Sequence, residues 1–144
     1  MSLNGKVALV TGGSGDIGRG IAQALADAGA DVAITYATNI ERANTVVAEL
    51  KTMGQRAVAV HLDQRDPESV AACAKSVGDE FGRVDILVNN AAWNIGIPFP
   101  DLDALDADLW DRIMETNLRG PYLLVRALAP MLKANDLGHI VNIS

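Results

Sequence analysis

Between Thr11 and Gly18 the chain reads Thr-Gly-Gly-Ser-Gly-Asp-Ile-Gly, with Gly13, Gly15 and Gly18 in G-x-G-x-x-G spacing. Ahead of it runs the continuously apolar Val7, Ala8, Leu9 and Val10, and behind it Ile17, Ile21, Ala24, Leu25 and Ala28 recur at helical spacing. A buried strand, a tight turn and a helix start in immediate succession aim unpaired backbone N–H groups at one point. An anion there gains hydrogen bonds and the positive end of the helix dipole. Glycine has no Cβ to hold a diphosphate away. Any glycine-rich loop can produce the spacing, so its weight comes from the strand before and the helix after. No Lys-Ser/Thr follows the last glycine, which disfavours a P-loop for nucleoside triphosphates and points to a dinucleotide.

Other residue types with chemical potential read more plainly. Cys73 stands beside the apolar positions Val70, Ala74, Val77 and Phe81 and is expected to be a small core residue, not a nucleophile. His61 and His139 adjoin strand residues with no second ligand type nearby, so no metal site is predicted. Trp93 and Trp110 are expected to pack, with Trp93 also placed to wall a site because it follows the loop Asn89-Asn90-Ala91-Ala92.

The elements that must position these groups alternate along the chain. Strands are predicted near residues 6–11, 31–36, 57–62, 84–88 and 139–143. Helical patterns lie between them. The first ends at Gly29, a left-handed cap, and the second covers Glu41 to Met53 with apolar Val46, Val47, Leu50 and Met53 at helical spacing. The third opens at Asp66-Pro67, with Asp66 as N-cap and Pro67 in the first turn. A long fourth region spans Asp103 to Ala134, with a kink expected at Gly120-Pro121 and a second irregularity at Pro130. This alternation predicts an α/β fold, a Rossmann-like doubly wound parallel sheet with helices on both faces. Ligands bind such sheets beyond the carboxyl ends of the strands, so Thr11, Tyr36, Asp63 and Asn90 are expected to line one crevice.

The chain has 144 residues, one domain's worth, with 49% hydrophobic and 21% charged residues, which is ordinary globular composition. A net charge of -6 opposes binding to a phosphate backbone, so nucleic acid is not an expected partner. One cysteine allows no internal disulfide, and no signal-peptide pattern or apolar run of about 18 residues appears. A soluble cytoplasmic protein, without a membrane partner, is the expectation.

Taken together, these motifs resemble the short-chain dehydrogenase/reductase family, classical branch, over essentially the whole chain. Thr11 to Gly18 is similar to the family's T-G-x-x-x-G-x-G pattern, with Asp16 where the second glycine is usual. Residues Asp85 to Ala92 resemble its strand and N-N-A-G exit, with Ala92 for glycine. Asp63 matches the acidic residue after the third strand, and Asn117 in Asn-Leu-Arg-Gly matches the helix asparagine of the catalytic set. Asp16 is the main departure, and its carboxylate either repels the phosphates or caps the first helix.

The resemblance implies an NAD(P)-binding domain over residues 1–144 and hydride transfer between nicotinamide and a small-molecule carbonyl or alcohol. The implied cofactor contacts are Gly12, Ser14, Gly15, Asp16, Ile17, Gly18, Tyr36, Thr38, Asp63, Gln64, Asn90 and Ala91. Asp63 is expected near the adenine, while Asn90 has a competing role in tying strands together. At the end of the second strand an acidic residue would bind a ribose 2′-hydroxyl, and this chain has Tyr36, which favours NADP over NAD. The usual basic partners of a 2′-phosphate are missing, since Gly15 stands where arginine is common, and Thr38 or Asn39 would bond it instead. Asn117 is the catalytic candidate, kinking its helix or ordering a water for proton relay. Family chemistry also uses a Tyr-x-x-x-Lys pair, but neither Tyr36 nor Tyr122 has lysine four residues on. Ser144 aligns beside the expected catalytic serine. The chain therefore reads as the front part of an oxidoreductase, a sheet incomplete on its C-terminal side and inactive alone. The competing reading is a non-catalytic nucleotide-binding or interaction module. Homo-oligomer contacts are expected through the helix around residues 117–134.

Overall fold

The computed structural model describes residues 2–135 and 137–144. Among the described residues, five strands form one sheet, β1 (Val7–Val10), β2 (Asp31–Tyr36), β3 (Ala57–His61), β4 (Ile86–Asn89) and β5 (His139–Asn142), in the order β3-β2-β1-β4-β5. Every pairing is parallel. The order reverses between β1 and β4, the two strands whose exits carry the glycine turn and the Asn-Asn-Ala loop. The fold is thus the Rossmann-like doubly wound sheet expected from the alternation.

Both faces of the sheet are covered, and the alternation of side chains along each strand decides what goes where. On one face Ala8, Val10, Val32, Ile34, Ile86 and Val88 pack with α1 (Asp16–Asp27) and α2 (Ile40–Thr52). On the other, Leu9, Ala33 and Leu87 pack with α3 (Pro67–Phe81) and α5 (Gly120–Ala134), whose Leu124, Leu128 and Leu132 are buried. This two-sided burial explains why β1 is apolar at every position.

The buried face of α1 differs from the apolar spacing. Gly18, Ala22 and Ala26 face the sheet, Ile21 and Leu25 flank them half-buried, and Ile17 is 67% exposed. Small residues let the helix lie close to the strands, so the seam follows side-chain size as well as hydropathy. Met53 likewise turns outward as the C-terminal cap of α2. Asp66 caps α3 through Glu68 N, Pro67 occupies its first turn, and Cys73 is buried among its core positions.

The long fourth helical region is interrupted. A 3₁₀ turn at Leu102–Ala104 precedes α4 (Ala107–Met114), then a π-helical turn at Glu115–Arg119 leads into α5. The irregularity expected at Gly120-Pro121 lies in this preceding turn, where Gly120 N reaches back to Glu115 O. A Cβ on Gly120 would come within 2.9 Å of the Gln64 main chain, so close approach requires glycine there. α5 continues through Pro130 to Ala134. β4 starts at Ile86 and not Val84, with Asp85 just before it donating its N–H to Val7 O and pairing its carboxylate with Arg83. No helix among the described residues is long and apolar enough to cross a membrane.

Candidate functional site

A cavity of about 920 Å³ opens beyond the carboxyl ends of the strands, at the reversal of strand order. One wall is the glycine turn. Gly12 takes a left-handed φ of 63° there, a conformation that favours glycine. A Cβ on Gly18 would lie 2.3 Å from Gly12 O and 2.8 Å from Asn90 Nδ2. A Cβ on Gly13 would lie 2.5 Å from the Ile34 side chain. The turn is therefore packed against its own support and leaves its open side to the cavity.

Gly15 is the N-cap of α1, and no side chain among the described residues caps its first turn. This distinguishes α1 from α2, α3 and α4, whose caps Asn39, Asp66 and Asp106 each accept a backbone hydrogen bond. Asp16 does not cap the helix. Its exposed carboxylate pairs with Arg42 Nη2, from the first turn of α2. An uncapped helix start facing a cavity is suited to an anion.

Hydrogen bonds lock the strand ends beneath this wall. Thr11 Oγ1 accepts from Asn90 N and Ala91 N, both at 2.9 Å, and Gly12 N donates to Thr35 Oγ1 at 3.0 Å. Asn90 Nδ2 donates to Thr11 O at 3.0 Å, so its amide ties β1 to the β4 exit while it also lines the cavity. Gln64 Nε2 donates to Ala91 O at 3.0 Å and Thr116 O at 2.7 Å, fixing the π turn to the same exit loop. Its buried Oε1 has no partner among the described residues.

Asp63 forms the far wall with Arg65, which donates to it from N, Nε and Nη2. The Arg65 side-chain hydrogen bond is the main reason its carboxyl lies below the usual carboxylate range, with the Arg65 N–H and charge adding to it. Asp63 is therefore ionised at neutral pH. Near Tyr36, which meets His61 edge-on at 5.7 Å, the wall consists of Thr38, Asn39 and Arg42. On the opposite side Trp93 carries the Arg112 guanidinium 3.9 Å above its ring.

All the cofactor-contact candidates from Gly12 to Ala91 named above line this one cavity. Asn117 and Ser144 are not among its lining residues. Asn117 lies in the π turn, and its amide clamps the Trp93 main chain, accepting from Trp93 N and donating to Trp93 O, each at 2.8 Å. Ser144 follows β5 at the sheet edge. The chain residues that sequence reasoning passed over are Arg42, Arg65 and Arg112. Arg42 was accessible in principle, since the first turn of a helix that follows a strand lies at that strand's carboxyl end. Arg112 reaches the cavity only through the packing of α4.

The family model for short chain dehydrogenase matches residues 6–144. An L-rhamnose 1-dehydrogenase (NAD(P)(+)) of a Sphingomonas species is 41% identical over 99% of this chain and 55% of its own length. A short chain dehydrogenase from Burkholderia cenocepacia, solved in complex with NADP, is 42% identical with a TM-score of 0.89, covering 99% of this chain and 56% of that one. A dehydrogenase/reductase from Sinorhizobium meliloti is 39% identical with a TM-score of 0.91, over 99% and 55%. The chain spans about half the length of the relatives it matches. With its glycine turn, its strand order and its sequence agreeing from residue 6 to 144, the chain belongs to the short-chain dehydrogenase family.

Proposed function

We propose that residues 1–144 form a single dinucleotide-binding unit of an NAD(P)-dependent oxidoreductase acting on a small-molecule carbonyl or alcohol. The observation that carries this reading is the uncapped N-terminus of α1, facing a cavity at the strand-order reversal behind a glycine turn with no room for a Cβ at Gly13 or Gly18. The donor set fits a diphosphate. The N–H groups of Ser14 and of Asp16 to Gly18 hold it, the Gly15 N–H being spent on Gly12 O at 3.0 Å, and Gly12 and Gly15 allow close approach. Asp63 and Gln64 lie towards the adenine, Tyr36 and Thr38 towards its ribose, and Asn90 and Ala91 towards the nicotinamide side. Tyr36 offers no carboxylate to select a ribose 2′-hydroxyl, which favours NADP over NAD. Support comes also from the Burkholderia relative bound to NADP.

The nicotinamide, when bound, supplies or accepts the hydride. Asn117 acts as a positioning residue, because both ends of its amide are spent on the Trp93 main chain beside the cavity. A side-chain amide does not titrate near neutrality, so Asn117 is no substitute for an acid. Reduction of a carbonyl leaves charge on oxygen, and without a positioned acid the rate falls by about 10² to 10⁴. No tyrosine of this chain has lysine four residues on. The 144 residues alone, without such a tyrosine–lysine pair, are therefore expected to show no dehydrogenase activity. Self-association through the helical region at 117–134 is part of the same proposal, with Leu118 and Tyr122 62% and 60% exposed.

Thermal unfolding with NADPH and with NADH tests the reading. Stabilisation by either supports a dinucleotide site, and a larger shift with NADPH supports the preference. No shift with either refutes the site, and a larger shift with NADH refutes the preference alone.

A further inference from the structure

Three guanidinium groups line the cavity, and they differ in what holds them. Arg65 is bound to Asp63 in its own loop, and Arg112 is stacked on Trp93. Among the described residues, Arg42 is held by no charged group other than Asp16, across the gap between the first turns of α1 and α2. Asn39 fixes the Arg42 main chain by accepting its N–H at 2.9 Å, so the side chain starts from a capped, fixed helix turn. The cation thus stands beside Thr38 and Asn39 at the end of β2, the one place in the cavity where a carboxylate would have selected a ribose hydroxyl. Its partner Asp16 stands at the mouth of the phosphate cradle, where a free carboxylate would repel a diphosphate.

We propose that Arg42 and Asp16 form an exchangeable pair that sets the preference for a 2′-phosphorylated adenosine: Arg42 neutralises Asp16 in the empty site and turns to the 2′-phosphate when one is present. This rests on the dinucleotide reading above. Both side chains are exposed enough to move, Arg42 at 48% and Asp16 at 93%. An exposed ion pair is held by no more than about a fivefold preference, so a dianionic phosphate competes successfully for the guanidinium. Arginine suits this exchange because its planar fork bonds phosphate and carboxylate oxygens alike. Asp16 then acts as a brake: it holds Arg42 in the absence of the phosphate and lowers the net gain from binding it.

The test compares adenosine 2′,5′-bisphosphate with adenosine 5′-monophosphate by calorimetry, since the two differ only in the 2′-phosphate. The measured quantity is the ratio of their affinities. Arg42→Ala should lower that ratio roughly ten- to a hundredfold, the effect of losing a hydrogen bond to a charged group. Arg42→Lys should restore part of it. Asp16→Asn should raise the ratio about two- to fivefold in the unaltered background and leave it unchanged when Arg42 is already alanine. A ratio insensitive to Arg42→Ala overturns the proposal, as does an Asp16→Asn effect of equal size in both backgrounds. Failure of the unaltered protein to bind either nucleotide overturns the dinucleotide reading itself, a distinct result.

Discussion

Replacing Asp85 by asparagine should destabilise the fold by an amount that depends on pH. Asp85 is 1% exposed and closes the amino-terminal end of the β1–β4 pair. Its carboxylate accepts from Val7 N at 2.9 Å and from Arg83 Nε and Nη2 at 2.9 and 2.7 Å, with Lys6 Nζ at 3.4 Å. Asparagine keeps the shape but turns one acceptor oxygen into a donor. Either the buried Val7 N–H loses its partner, at about 1–3 kcal/mol, or the two cations do. Arg83 and Lys6 are 41% and 42% exposed and rehydrate readily, so each loss adds at most about 1 kcal/mol. The two outcomes together span roughly 1–3 kcal/mol, a Tm lower by about 2–12 °C for a chain of this size. Burial alone would raise the Asp85 carboxyl, but Arg83, the Val7 N–H and the Lys6 charge outweigh it and hold the group below its ordinary value of 3.8. Its contribution is therefore fully present above the unfolded carboxyl's pKa and is lost as pH falls through the folded one. Melting curves followed by circular dichroism should show a wide gap between the two proteins at pH 7 that narrows progressively below about pH 4. Equal Tm values at pH 7, or a gap that survives acidification unchanged, would refute the assignment of Asp85 as an ionised clamp.

Gly18→Val should remove nucleotide-dependent stabilisation and lower Tm, because its Cβ would meet Gly12 O at 2.3 Å; a variant that still shifts with NADPH as before would contradict the cradle. Cys73, whose thiol burial pushes up to about 12, should resist a maleimide or disulfide reagent at pH 8 until denaturant is added, and rapid labelling of the native protein would count against its core placement. Leu118→Asp should shift the protein to smaller species in light scattering if the exposed end of the π turn joins two copies, whereas a monomer before and after the change would rule that surface out.

Local chemistry was enough for the frame. The apolar runs, the Asp66-Pro67 start and the glycine turn each act within a few residues, so β2 matches its expected span and all five strands pair in parallel. The candidates between Gly12 and Ala91 share a cavity for the same reason: alternation of strands and helices brings every strand's carboxyl end to one edge. Packing between distant segments decided the rest. The seam of α1 runs through Gly18, Ala22 and Ala26 because the helix lies close to the sheet, which hydropathy periodicity does not encode. The register break after α4 is a π turn because Gln64, far away in sequence, takes the Thr116 carbonyl and needs Gly120 at close range. Whether Asp16 capped its helix or faced the phosphates was open in the sequence, and a third outcome, pairing with Arg42, arose only when α1 and α2 came side by side. Asn117 likewise showed its partners only when the β4 exit loop folded back over α4, since a side-chain amide has no preferred partner until tertiary structure presents one.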